Sequence, residues 1–395
     1  MTQPVQGEHD PTTRELLVAA REELRACGQA EFTMDGVSRR AFYSAGALYE
    51  RWPDRADLLA DVARHVRGDL ARALDSLTDA HGAISWALDD GRELLSLVGE
   101  ILIAGHSMPP VRDVALDLWR TLREGLAGHV PRGMSWYLAV VSIGGALLAE
   151  IGLPGPLPPT GRTTWLLEAC DVEAEQRHVP RPGSEAAGGD VPEVPLPARS
   201  DPTALALIQA AQSLLAQHGA EGISTRRVSA AAGVTTGAIY RRYDGKAALL
   251  ADVLLAELAP DRYAWTWDLV AALASDDPYW AAADAMTRQL LTAARDTASQ
   301  HVLLNIGVAA RNDPGLRAQV QERILVAHRA RRDMFARLIA AGVMRDDVDP
   351  AVLAWGFQSE PVGVRALIPL GIPLDEEAVT SSMRAILTAA AARSA

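Results

Sequence analysis

A chain of 395 residues is long enough for two or three domains that each bury a core, and 49% hydrophobic residues with only 5% aromatics suits helices packed on helices, an all-α class. A net charge of −12 argues against a protein whose whole surface coats nucleic acid or an anionic membrane, though it leaves room for a local basic patch.

In chain order, the first predicted helix opens at Asp10-Pro11, an N-cap followed by proline at the first helical position, and runs to Gly28, which can end it. Two short helices follow, with Phe42-Tyr43 at the turn between them, and then the stretch GALYERWPDRADLLADV from Gly46. Further helices carry Trp86, Trp119, Trp136 and Trp165. The uncharged run Met134 to Ala149 is 16 residues, interrupted by Gly144-Gly145, and short for a membrane span. Its small residues Ser142, Gly144, Gly145 and Ala146 suit a close helix–helix contact, either between two halves of the molecule or within one. Residues 173–200 are rich in Pro, Gly and small residues and read as a linker, with an r.m.s. reach of roughly 30 Å.

After the linker the pattern begins again. Residues 10–62 align without a gap on 201–253, with 21 of 53 positions identical, and Asp201-Pro202 and Gly219 repeat Asp10-Pro11 and Gly28. The expected organisation is a first unit, 1–172 (helix-turn-helix 10–62, helical bundle 63–172), the linker 173–200, and a second unit, 201–395 (helix-turn-helix 201–253, bundle 254–395).

The second copy has the layout of a helix-turn-helix: Ser224 or Thr225 caps a short helix, Gly233 makes the turn, and Thr235 caps a second helix ending near Tyr243. From Ser224 to Ala247 there are five basic residues (Arg226, Arg227, Arg241, Arg242, Lys246) and one acid, net +4, a concentration that suits phosphate contacts. Lys246 is the chain's only lysine. Thr225, Val228-Ser229, Ala232-Gly233-Val234, Thr235, Gly237, Ile239-Tyr240, Arg242-Tyr243, Lys246 and Leu249-Leu250 together resemble the tetracycline-repressor (TetR) family of bacterial regulators. The resemblance covers about 50 residues per copy. It implies a DNA-binding set of Thr225, Arg226, Arg227, Thr235, Thr236, Gly237, Tyr240, Arg241, Arg242, Tyr243 and Lys246. Within it Thr225, Tyr240 and Lys246 would contact phosphates, while Arg226, Thr235 and Thr236 would face base edges.

The first copy departs from this pattern. Met34-Asp35-Gly36 replace Thr225-Arg226-Arg227, Glu50 replaces Arg241, and Thr33 to Ala56 carries only net +1. Phe42 stands where Gly233 turns the chain, so that turn is either rebuilt or strained. Ser44, Tyr49, Arg51, Trp52 and Arg55 remain as candidate contacts. Two readings stay open: a DNA reader with altered preference, or a mainly structural half.

Ordinary members of the family pair two identical chains on a palindrome, so one chain with both halves implies a pseudo-dimer reading an asymmetric duplex, as a monomer or as a homodimer of it. The resemblance also implies a small-molecule inducer held in the bundle, with His301, Asn305, Trp280, Trp355, His106 and Trp119 as pocket candidates, and, by family habit, repression. The alternative is a TetR-like scaffold that binds a small molecule or protein and has lost DNA reading. No phosphate loop, H-E-x-x-H or G-x-S-x-G motif points to an enzyme. Cys27 and Cys170 are isolated and the nine histidines scattered, so no metal or cofactor is expected. The absence of a signal-like N-terminus points to a soluble cytoplasmic protein rather than a membrane partner.

Overall fold

The structure, a computed structural model, describes residues 10–153, 164–171, 201–219, 222–257 and 278–391. The expected linker, 173–200, lies outside them. The described residues are helical throughout, and an isolated bridge between Met344 and Ala391 is their only β pairing.

The first unit begins with α1 (Pro11–Glu31), α2 (Met34–Ala41), α3 (Ala45–Tyr49) and α4 (Arg55–Asp75). Each start is capped by the side chain just before it: Asp10 accepts from Thr13, Thr33 from Gly36, Ser44 from Ala47, and Asp54 from Ala56 and Asp57. Gly28, expected to end the first helix, leaves helical geometry at φ 71°, and one further turn follows it. The bundle of this unit is α5 (Ala80–Ser85), a π turn over Trp86–Asp90, α6 (Arg92–Ala104), α7 (Pro109–Ala127), α8 (Arg132–Glu150) and α9 (Thr164–Asp171).

The second unit repeats the opening as α10 (Pro202–His218), α11 (Thr225–Ala231), α12 (Thr236–Tyr240) and α13 (Lys246–Glu257). It continues with α14 (Pro278–Arg295), α15 (Thr297–Asn312), α16 (Pro314–Ala340), α17 (Pro350–Leu367) and α18 (Glu376–Ala390). The core of each opening is built from the same positions. Leu16, Ala20, Leu24, Val37, Leu48 and Leu58 are buried in the first copy; Leu207, Ala211, Leu215, Val228, Ile239 and Leu249 are buried in the second. A spacing that buries one stripe of each helix is thus kept at all six positions, even where the surface has diverged.

The two units share a seam. α8 of the first packs along α17 of the second, with α9 and α18 beside them, and one hydrophobic cluster runs from Leu16 in α1 to Ala390 in α18. Backbone approaches backbone where Gly144 of α8 meets Gly363 of α17. A Cβ on Gly144 would overlap the Ser359 carbonyl oxygen, and one on Gly363 the Val140 carbonyl oxygen. The small-residue run in α8 therefore contacts the other half, and the alternative of packing only within one unit falls. α8 is long and apolar enough to cross a membrane, but 83% of its apolar window is buried inside the protein. Its sequence is apolar on every side because protein covers it on every side.

Polar struts also cross the seam. His106 Nε2 donates to the Ala366 carbonyl (3.0 Å), Arg112 to the Leu370 carbonyl (2.8 Å), Arg132 to Asp375 (2.7 Å) and Gln321 to the Ile151 carbonyl (2.7 Å). The most enclosed strut is Arg311, at the end of α15. Its guanidinium binds Glu100, lies 3.0 Å from Glu150, and donates to the Arg25 carbonyl of α1. Gln29 N donates to the other Glu100 oxygen (2.7 Å), and Asn312 donates to the Cys27 carbonyl (3.0 Å). The end of the first unit's opening helix is thereby held by the second unit's bundle.

Candidate nucleic-acid interface

In the second copy, α11, the turn and α12 form a helix-turn-helix whose outer face is basic. Ser224 caps α11 by accepting from Arg227 N (3.2 Å), and Val234 N donates back to the Ser229 carbonyl (2.9 Å) across the turn. Gly233 takes φ 67° there, in open space. Arg226, Arg227, Thr235, Gly237, Tyr240 and Arg241 are exposed; Thr225, Thr236 and Lys246 are half-buried. The Thr225 and Tyr240 hydroxyls lie 3.4 Å apart, bringing two of the expected phosphate contacts together. Thr235 occupies the cap position of α12 but makes no side-chain cap bond.

Two of the expected contacts belong elsewhere. Tyr243 is 6% exposed and Trp52, its counterpart, 4%; both are core residues, and Trp52 Nε1 donates to Asp61 (2.7 Å). In this basic-aromatic pair the aromatic member faces inward because it closes the three-helix core. The basic member is tied down as well. Arg242 forms a bidentate pair with Asp201 (Nε to Oδ2 2.5 Å, Nη2 to Oδ1 3.1 Å), and Arg242 Nη1 donates to the Ala238 carbonyl. The guanidinium holds the Asp201 carboxyl below its usual value. Arg51 repeats this, donating to Thr13 Oγ1 (2.9 Å) and the Ala47 carbonyl (2.9 Å), with Asp10 at 3.5 Å. Each N-cap aspartate thus straps the recognition helix to the first helix of its own unit. The identity of both partners in both copies was a legible signal for this strap.

The first copy keeps the turn without the glycine. Phe42 sits at φ 58° and, among the described residues, is the one non-glycine with positive φ; Tyr43 N donates to the Ser38 carbonyl as Val234 N does to Ser229. The turn is therefore strained rather than rebuilt. Phe42 is 95% exposed, so its ring gains no packing in return. Ser44 and Tyr49 are exposed, and half-buried Arg55 donates to the Phe32 carbonyl (3.4 Å).

The family model described as bacterial regulatory proteins, tetR family, matches residues 16–62 and again 207–253. The chain thus carries two tetR-family segments in tandem. Similar solved structures include NalD of Pseudomonas aeruginosa, described as the secondary repressor of the MexAB-OprM multidrug efflux pump, at 20% identity and TM-score 0.38, covering 48% of this chain and 97% of NalD. Another is regulatory protein TetR from Rhodobacter sphaeroides, at 19% identity and TM-score 0.35, covering 48% of this chain and 98% of that one. No curated protein matches the chain.

The chain also holds a partly open cavity of about 240 Å³, walled by α14 to α17 and by α6, α8 and α13. Leu147, Leu254, Met286, Leu290, Ile306 and Phe357 make it mostly apolar, and Arg311 with Glu100 and Glu150 forms part of its wall. Of the pocket candidates read from sequence, the five with described side chains, His106, Trp119, His301, Asn305 and Trp355, do not line it. His106 is a seam strut, 6.5 Å edge-on to His301, and burial lowers its pKa to about 4. Asn305 donates to the His301 carbonyl (2.8 Å) and sits beneath Gly219 at the end of α10. Trp355 lies against His328, tilted, with ring centres 4.5 Å apart, and Trp119 is buried in α7. Trp280 lies in α14, its side chain outside the described part. In sequence, histidine, asparagine and tryptophan in apolar runs are the pocket signal; the cavity's polar residues are instead Glu, Gln, Arg and Ser299, which in sequence look like the solvated face of a helix.

Proposed function

We propose that the chain is a sequence-specific transcriptional regulator, a repressor acting in the cytoplasm, that reads double-stranded DNA mainly through α12 of its second unit. The observation that carries this reading is the exposed basic face there: Arg226, Arg227 and Arg241 stand around a correctly turned helix-turn-helix in a protein that is otherwise acidic. Lys246 begins α13, where a helix N-terminus favours phosphate oxygens. Thr225 and Tyr240 contact phosphate, and Arg226, Thr235 and Thr236 read base edges. Residues 1–172 and 201–395 act as the two halves of a pseudo-dimer in one chain, joined by 173–200. The first unit, with Glu50 and Asp35 in place of two arginines, adds a weaker contact through Ser44, Tyr49 and Arg55. A small molecule entering the α14–α17 cavity releases the DNA.

The test is selection of bound fragments from a random duplex pool. Wild type should enrich an asymmetric consensus. Arg226→Ala/Arg241→Ala should abolish enrichment, and Tyr49→Ala/Arg55→Ala should only weaken it. Folded protein that enriches nothing at low salt would sink the DNA-reading claim and leave a ligand- or protein-binding scaffold.

A further inference from the structure

The wall of the interior cavity contains more carboxyl groups than its arginines neutralise. Glu100, Glu150, Glu257 and Glu360 line it together with Arg311, Arg331 and Arg365, four acids against three bases among the described lining residues. The bases are engaged: Arg311 with Glu100 and Glu150, Arg331 with Gln358, and Arg365 with Gln300 at 2.9 Å. Glu257 takes donors from Gln212 (2.7 Å) and Ser299. Glu360 stands apart. It is 4% exposed, and its Oε1 has no hydrogen-bond partner. A buried carboxyl in that state costs free energy unless something supplies a donor or a positive charge.

Pro361 lies inside α17 and has no N–H, so the Phe357 carbonyl, one turn earlier, lacks its ordinary helical donor. Glu360, Pro361 and Phe357 all line the same cavity. One stretch of a helix thus brings an unpaired carboxyl and an under-served carbonyl to an otherwise apolar space. Burial alone pushes the Glu360 pKa up to about 8, with no neighbouring cation to hold it down.

We propose that this cavity takes an apolar molecule bearing a basic amine, whose ammonium pairs with Glu360 while its hydrocarbon part lies against Leu290, Ile306 and Phe357. The proposal rests on the reading of this cavity as the effector site and specifies what enters it. Because Glu100, Leu147 and Glu150 of the first unit complete walls otherwise made by the second, one ligand binds per chain. A neutral Glu360 ionises as the ammonium arrives, and its proton leaves to the buffer.

The test uses three probes with one skeleton: 4-phenylbutylamine, 4-phenylbutanol and 4-phenylbutyrate. Calorimetric titration of the full chain at neutral pH should show the amine binding at one per chain, at least tenfold tighter than the carboxylate. Its enthalpy should depend on buffer ionisation heat as proton release requires. Glu360→Gln, shown folded by circular dichroism, should lose that preference. Equal binding of the three probes, no binding of the amine, or an unchanged preference in Glu360→Gln overturns the proposal. Duplex binding measured on the same samples separates the two claims: amine selectivity without DNA binding refutes the regulator and keeps the amine site, and the reverse refutes the amine site alone.

Discussion

Arg311→Met is the perturbation that most severely tests how the two units are joined. Arg311 is 7% exposed, and its guanidinium serves Glu100, Glu150 and the Arg25 carbonyl at once. Methionine fills most of the volume and removes the charge. Glu100, 5% exposed, then keeps only the Gln29 N–H as a donor. Leaving one member of a buried pair without its partner costs about 3–5 kcal/mol. Replacing both members by apolar residues of similar size costs far less, because neither charge remains to be desolvated. In Arg311→Met/Glu100→Leu the remaining penalty should be about 1–2 kcal/mol, from the Gln29 N–H, the Arg25 carbonyl and Glu150 losing partners. Urea unfolding followed by circular dichroism on wild type, both single variants and the double variant completes the cycle. The single variants should each lose several kcal/mol and the double should recover a large part. Additive losses, or a single-variant loss under about 1 kcal/mol, would refute the view of this network as a buried, mutually dependent strut.

Phe42→Gly should stabilise the first helix-turn-helix by about 0.5–1 kcal/mol, because relief of a left-handed non-glycine backbone, about 1–2 kcal/mol, outweighs the entropy glycine adds to the unfolded chain; urea midpoints test this, and a destabilised variant would mean the exposed ring does something for the fold. Gly144→Val should cost about 1–3 kcal/mol and loosen the seam, since the atoms it meets are backbone of α17 and cannot swing aside; unchanged stability and unchanged cross-linking between the units would contradict the close approach. Glu360 gives a pH dependence of known sign. With a folded pKa near 8 and an unfolded value near 4.3, the folded chain holds a proton that the unfolded chain has lost. Its contribution to stability therefore falls by up to about 1.4 kcal/mol per unit between about pH 5 and pH 8, and levels off above. Tyr137, the ionisable neighbour facing it, stays neutral there because burial raises its own pKa. Subtracting the Glu360→Gln stability profile from that of wild type isolates this slope, and a flat difference contradicts it.

The helix-turn-helix pair was legible because its determinants are local. Asp10, Thr33, Asp201 and Ser224 cap helices by bonds within three residues, and the inward positions recur at helical spacing in both copies. Phe42 marked the turn as abnormal, yet sequence left open whether it was rebuilt or strained; the answer depended on whether a bulky side chain had room, and it points into solvent. What sequence could not reveal depends on pairing across the units. Arg311 reads as part of a helix-end turn before Pro314, and only the docking of α15 on α1 makes it a strut. Glu360 reads as one acid in a helix until the packing of α8 against α17 shuts it away from solvent. Trp52 and Tyr243 mislead because a position beside a basic residue need not share its face: both lie just past the recognition helix, and their rings turn inward to close the three-helix core.

The central claim is that one chain carries both halves of the reader. Native mass spectrometry of the complex with its selected duplex, together with footprinting of that duplex, decides it. The account predicts one chain per duplex, with protection on two neighbouring major-groove faces and the stronger protection under the second unit. Two chains obligatorily bound to each duplex, with the first unit's face unprotected in both, would contradict it.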